Sequence, residues 1–205
     1  MFYRPGIDAH GFERNPFKAL VVPRPIAWVS TVDTEGHVNL APFSYFNAIA
    51  TDPPMVMFSA GGEARVKDTP ENIKRTGEFV VNIVPEKMFA EMTKTAEAMD
   101  AQVDETERVG IETRPSRLVA APCVADSPVN LECRLFRNVE LPWSSDGHSN
   151  TAVIGEVIGI HIGDHICRRG RLHIDEMKPI ARLGYDEYAI VNQAVTLSSW
   201  LEGRE

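Results

Sequence analysis

The stretch from Arg24 to Ala60, RPIAWVSTVDTEGHVNLAPFSYFNAIATDPPMVMFSA, constrains the fold more than any other part of the chain. Its β-branched and aromatic residues form strand-length runs punctuated by turn formers. Arg24 to Val32 reads as a strand, and Asp33-Thr34-Glu35-Gly36 reverses it into a second strand over Val38 to Ala50, making a hairpin. Two prolines in Thr51-Asp52-Pro53-Pro54 remove ladder donors and stop that strand, and a third, Met55 to Ser59, follows at once.

The rest of the chain continues the pattern with short helical insertions. In Lys67-Asp68-Thr69-Pro70-Glu71-Asn72, Thr69 suits an N-cap, Pro70 the first helical position and Gly77 the end. Phe79 to Val84 is a fourth strand, and Pro85 begins a second helix whose Met88, Met92, Ala96 and Met99 share one face, a stripe expected to pack in the core. Residues 100–116 are charged and turn-rich and read as a surface excursion, not a domain boundary. Val129 to Leu141 alternates Val129, Leu131, Cys133 and Leu135 with Asn130, Glu132, Arg134 and Phe136, the period of a half-buried strand. After a polar turn over Trp143 to Asn150, Thr151 to Ile162 is another strand, in which Gly155 and Gly159 signal a close backbone approach or a bulge. Many strands and few helices predict a mainly β fold, an antiparallel barrel with peripheral helices, built as one domain over residues 1–205.

Charge and motifs exclude several function classes. With 21 Lys+Arg against 29 Asp+Glu, a net charge of -8 and no compact basic patch, nucleic acid is not an expected partner. Cys123, Cys133 and Cys167 are odd in number and widely spaced, as reduced cytoplasmic thiols are. No secretory signal opens the chain and its apolar runs are strand-sized, so no export and no membrane partner are expected. GxSxG, HExxH, GxxxxGK[ST] and GxGxxG are all missing. His161, His165, Cys167 and His173 are metal-ligand types, but a strand followed by a turn points them apart, so no metal site is expected.

The segment that invites a ligand pairs the polar-aromatic strand Pro42-Phe43-Ser44-Tyr45-Phe46-Asn47 with the helix start at Lys67-Asp68-Thr69. Free backbone N–H groups, the helix dipole, a lysine and a hydroxyl make a phosphate seat, while Ser44 and Asn47 offer donors beside an apolar slot for a flat heterocycle. A capped helix beside an ordinary strand is the alternative.

At these residues the sequence resembles the flavin reductase-like proteins of the FMN-binding split barrel, close to flavoredoxin and the reductase components of two-component flavin monooxygenases. The resemblance is carried in family order by Arg24 to Ala60, by KDTPENIKRTGEFVVNIV (Lys67 to Val84), by GEVIGIHIGD (Gly155 to Asp164) and by PIARLGYDEYA (Pro179 to Ala189). It implies a split antiparallel barrel that forms a homodimer with FMN near the subunit interface. It also implies that Phe43, Ser44, Tyr45, Phe46 and Asn47 run along the isoalloxazine and ribityl chain, and that Ser59, Lys67, Asp68 and Thr69 hold the phosphate. Ser30 and Thr31 are further contacts or simple strand packing, and Trp28 stacks on the ring or, as favoured here, fills the core. The implied reaction is hydride transfer from NADH or NADPH to flavin, which needs orientation more than a nucleophile. Electrons then pass to free flavin, a partner monooxygenase or a small acceptor; a flavoredoxin-like carrier reduced by a protein partner is the alternative. His161 is the catalytic candidate near the open flavin face, or else a packed histidine. Arg182 and Tyr188 recur in the family tail, where Arg182 pairs with a buried carboxylate or meets an anionic ligand. The loop Gly61-Gly62-Glu63-Ala64-Arg65-Val66 favours FMN over FAD.

Overall fold

The computed structural model describes residues 1–61, 68–97, 104–143, 147 and 149–197. A short helix, α1 (Phe17–Leu20), precedes β1 (Arg24–Pro25), β2 (Ala27–Val32), β3 (Val38–Phe43), β4 (Phe46–Thr51) and β5 (Pro54–Gly61). Next come α2 (Asp68–Thr76), β6 (Glu78–Ile83), a 3-10 turn, α3 (Phe89–Lys94), α4 (Glu105–Val109), β7 (Thr113–Arg114) and β8 (Cys123–Val124). The long strands β9 (Val129–Glu140) and β10 (Asn150–Ile162) follow, then β11 (Cys167–Arg168), β12 (Arg171–Leu172), α5 (Ile174–Met177), β13 (Ile180–Arg182) and β14 (Tyr188–Ile190).

Seven antiparallel strands pair in the order β3-β2-β6-β9-β10-β5-β4 and curl into a split barrel. The expected second strand is two: it breaks at Ser44-Tyr45, so that β3 and β4, consecutive in sequence, lie at opposite ends of that order. The break hands the chain from one edge to the other and leaves Ser44 and Tyr45 on the barrel seam. The hairpin turn forms as expected, its Asp33 carboxylate accepting from the backbone N–H groups of Glu35 (2.8 Å) and His37 (2.9 Å).

Alternation along β2 divides the core. Ala27 and Val29 face the barrel interior with Phe43, Phe58, Phe79, Val81, Cys133 and Val153. Trp28 faces outward with Ile26, under a cap containing Met88, Met92, Ile111 and Val124. It is fully buried and donates from Nε1 to Thr95 Oγ1 at 2.9 Å, so its place is the core. The methionine stripe is half realised: Met88 and Met92 are buried, but α3 ends at Lys94, Ala96 is exposed and Met99 lies outside the described residues.

Three further differences from the sequence expectation have local causes. Helix α2 starts at Asp68, which puts Thr69 and Pro70 inside its first turn, while Gly77 ends it with a φ of 75°. Residues 104–110 carry a helix, α4, because Asp104 caps it by accepting from the N–H groups of Thr106 and Glu107 and Gly110 closes it in the left-handed region. Asn130 and Glu132, on the polar side of a strand expected to be half-buried, are each 1% exposed because the segment from Arg114 to Val124 covers them. On β10, an alanine Cβ at Gly155 would sit 2.7 Å from Phe79 Cε1, and register shifts flank Gly155 and Gly159, so both glycine readings hold. Among the described residues no helix is long and apolar enough to cross a membrane.

Candidate functional site

The seam organises a cleft of about 970 Å³ lined by Ser44 and Tyr45, by Arg14, Lys18 and Arg24 from the N-terminal part, and by Arg182, Tyr185 and Tyr188 from the C-terminal tail. Ser44 is half-buried and Tyr45 exposed at the break, and Tyr45 C=O accepts from Ser59 N–H at 2.8 Å. Along β5 every second residue is buried, with Val56, Phe58 and Ala60 inside, which turns Met57 and Ser59 to the outer face. Asn47 pairs with Met57, so it shares that face, while Phe46 opposite Phe58 packs against the interior. The structure thus brings Tyr45, Asn47 and Ser59 together along one outer edge, with Ser44 at its end.

Other candidates are placed differently. Phe43 is 4% exposed with its ring 4.9 Å from Phe58, so its side chain is a core group and offers a ligand no open face. Lys67, with the 62–66 part of the loop expected to favour FMN, lies outside the described residues; Asp68 stands half-buried at the start of α2. Thr69 is buried, its hydroxyl 2.8 Å from the Asn39 amide, which in the orientation that satisfies both ends accepts from Thr69 and donates to Glu105. Burial raises the Glu105 carboxyl above the usual carboxylate range, although Leu40 N–H donates to it at 3.0 Å.

Ser30 and Thr31 take the packing alternative. Ser30 is 1% exposed, donates to Pro122 C=O at 2.5 Å and accepts from Asn82 Nδ2 at 3.2 Å. Thr31 accepts from Asn72 Nδ2 of α2 at 3.2 Å. The Ser30 hydroxyl is thus engaged as donor and acceptor, and that of Thr31 accepts from α2 on a fully buried residue.

His161 opens on a second cleft of about 630 Å³, lined also by Arg114, Arg117, Asn130 and His165, and none of the residues lining it lines the first. Within one chain, therefore, the candidate catalytic histidine stands apart from the Ser44-Tyr45 seam. Its Nε2 bonds to Glu132, and its Nδ1 lies 3.3 Å from Arg114 Nη1. The Glu132 carboxylate also accepts from the backbone N–H groups of Arg117 (2.9 Å) and Leu118 (2.6 Å). Burial pushes that carboxyl up, but the three hydrogen bonds outweigh it and hold the group below the usual range. From Arg114 the network continues through Asn130 (2.6 Å) to Asn82 (2.8 Å) and Ser30. His165, Cys167 and His173 do not gather around His161; among the described residues its metal-compatible neighbours are Cys123 and Glu132, whose ligand atoms lie within 4.8 Å of one another. Arg114 stands beside that group, its Nη1 3.3 Å from His161 Nδ1.

Sequence reading missed Glu132, Arg114 and Arg24. Arg24 is 7% exposed and its Nη groups donate to the carbonyls of Lys18, Val21 and Leu183, tying both ends of the chain to the seam.

Comparison with known proteins gives the same fold and a family. The model of the flavin reductase like domain matches residues 19–178. An uncharacterized protein of Aquifex aeolicus is 38% identical over 172 residues, covering 82% of this chain and 85% of that protein. Among solved structures, nitrilotriacetate monooxygenase component B from Bacillus cereus is 31% identical with a TM-score of 0.88, over 96% of this chain and 98% of that one. The 2-nitrobenzoate 2-nitroreductase of Pseudomonas fluorescens is 30% identical with a TM-score of 0.77, over 88% of this chain and 87% of that one.

Proposed function

Since the chain belongs to the flavin reductase-like family, we propose that it is an FMN-dependent oxidoreductase that takes hydride from NADH or NADPH and delivers electrons to free flavin, a partner monooxygenase or a small acceptor. A flavin-related oxidoreductase role follows from the family itself. The single observation that carries the finer reading is the seam: a broken strand that sets Ser44, Tyr45, Asn47 and Ser59 beside a cleft of about 970 Å³ with cations and aromatic rings in its wall.

The residues present fit a flavin mononucleotide. The cleft exceeds the roughly 300 Å³ at which small-molecule pockets begin, and Ser44 and Tyr45 of the seam stand in its wall. In this reading Ser44 and Asn47 orient the polar edge of the ring, Tyr45 flanks it, and Ser59 with Lys67 and Asp68 at the start of α2 addresses the phosphate. Bound flavin supplies a two-electron acceptor for hydride, chemistry that no side chain of this protein can supply. Phe46 and the buried Phe43 behind the seam keep the edge stiff, so the Ser44 and Asn47 donors are positioned before the ligand arrives.

Support for a homodimer comes from the same edge. Strand β4 ends the seven-strand order with unpaired backbone groups, and Ile49 on it is 48% exposed. A second copy laid against this edge would cover it, as apolar sheet edges require. His161 enters the proposal only through such an assembly, since one chain holds it on the other cleft.

The test is uptake of cofactor. Protein stripped of ligand and titrated with FMN and with FAD, followed by quenching of flavin fluorescence, is expected to bind FMN at least tenfold more tightly. Equal affinity for both would remove the FMN preference, and binding of neither would remove the flavin reading.

A further inference from the structure

The cleft at the seam contains an electrostatic arrangement that flavin binding through Ser59 and α2 leaves unexplained. In the β1–β13 ladder Arg24 lies directly opposite Arg182. Side chains directly opposite one another in an antiparallel pair share a face, and like charges placed so repel. Both arginines line the cleft, with Lys18 beside them. Among the described residues no carboxylate forms an ion pair with Arg24, Arg182 or Lys18, and no Asp or Glu lines this cleft, in a chain whose net charge is -8.

Burial sharpens the point. Arg24 is 7% exposed and its Nε hydrogen is buried without an acceptor, while its Nη groups meet only neutral carbonyls. A buried guanidinium without a counter-ion is costly, and a second cation set opposite raises that cost. Around the pair stand flat rings: Tyr45 with the Arg24 guanidinium 5.8 Å from its centroid, and Tyr188 with Arg182 at 4.3 Å. Phe89 holds Tyr188 from behind in an edge contact at 4.8 Å. Arg182 also donates to Tyr185 C=O, which fixes the guanidinium over the cleft.

We infer that Arg24 and Arg182 form a seat for the anionic group of a planar second ligand, a flat ring bearing a carboxylate or a phosphate, which enters beside the flavin with its ring between Tyr45 and Tyr188. The inference rests on the flavin reading for what lies next to the seat, and on the arginine pair alone for the seat. Arg24 is the buried charge that sets the potential; Arg182, nearer solvent, is the group that contacts the anion. Two sources share this chemistry, an aromatic carboxylate acceptor and the phosphate end of a nicotinamide nucleotide.

The experiment measures binding by calorimetry to FMN-loaded protein, with two charged/neutral pairs as probes: benzoate against benzamide, and nicotinamide mononucleotide against nicotinamide riboside. Wild type is expected to prefer the charged member of at least one pair by about tenfold or more, the loss of one charge-assisted hydrogen bond. A preference confined to the benzoate pair identifies a carboxylate seat, and one confined to the mononucleotide pair a nucleotide seat. Arg182→Gln is expected to erase the preference, Arg182→Lys to restore most of it, and both to retain the wild-type FMN affinity within twofold. No preference in either pair, or a preference that survives Arg182→Gln, would overturn the seat. A matching loss of FMN affinity in Arg182→Gln would assign the arginine to the flavin itself and overturn it as a second-ligand seat. Wild-type protein that takes up no FMN yet still prefers the anions would sink the flavin reading while supporting the seat.

Discussion

Replacing Glu132 by glutamine removes the charge of a buried carboxylate and changes almost no volume. The carboxylate is 1% exposed and accepts three hydrogen bonds, from Arg117 N–H at 2.9 Å, Leu118 N–H at 2.6 Å and His161 Nε2. A glutamine amide has one oxygen, so at least one of those three donors must face an NH2 group across a buried contact. An unsatisfied buried donor costs about 1–3 kcal/mol, and breaking a buried charged pair by removing one partner about 3–5 kcal/mol. The neutral isostere should fall between, at about 3 kcal/mol, which for a chain of this size lowers the melting temperature by roughly 6–12 °C. The assay is urea unfolding followed by tryptophan fluorescence at neutral pH, repeated toward acid. Because folding holds the Glu132 carboxyl below its usual range, its contribution is complete above the unfolded-state value and is lost as pH falls through the folded-state value. Wild type should therefore lose stability on acidification more steeply than Glu132→Gln. A variant within about 0.5 kcal/mol of wild type by unfolding, the spread of ordinary surface substitutions, or an unchanged acid slope, would refute the account of this network.

Gly155→Ala should cost about 1–3 kcal/mol by overpacking against Phe79, and Phe79→Leu in the same chain should recover part of it, because the added methyl meets that ring edge at 2.7 Å; thermal melts of the two single variants and the double variant decide. Of the three thiols only Cys167 is exposed, and burial raises Cys123 and Cys133, so a disulfide reagent should label one thiol rapidly in native protein and three after denaturation. Lys67→Ala should weaken FMN by about 1.5–3 kcal/mol, one to two decades in Kd; an unchanged Kd in the fluorescence titration would remove Lys67 from the phosphate seat.

What the sequence disclosed follows the range of the interaction. Turn chemistry and alternation are local, so the Asp33 turn, the core place of Trp28 and the glycines of β10 were all legible. The break at Ser44-Tyr45 was not, because a polar-aromatic run of strand formers carries no marker for a change of sheet edge; only the pairing of β3 with β2 and of β4 with β5 reveals it. Glu132 read only as the polar side of a half-buried strand because alternation reports the two faces of a strand and not what lies over each, and here the segment from Arg114 to Val124 lies over the polar one. Ser30 read equally as a ligand contact or as strand packing, because its acceptor, Pro122 C=O, lies 92 residues away in sequence. Helix α4 was available locally in the Asp104 cap and Gly110, signals outweighed in reading by the charge of the region. Of the candidates that the fold gathers at one edge, Ser44 and Asn47 came from their donors in a polar-aromatic strand, whereas Ser59 came from the family resemblance, since its place in the sequence describes an ordinary strand.

The most direct test of the central claim is anaerobic mixing of FMN-loaded protein with NADH or NADPH while the flavin absorbance near 450 nm, roughly where oxidised flavin absorbs, is followed in a stopped-flow instrument. The account predicts bleaching in a single turnover, with a rate that saturates as nucleotide is raised. Flavin that stays oxidised with both nucleotides, yet bleaches with dithionite, would contradict the reductase and leave a carrier that a protein partner must reduce.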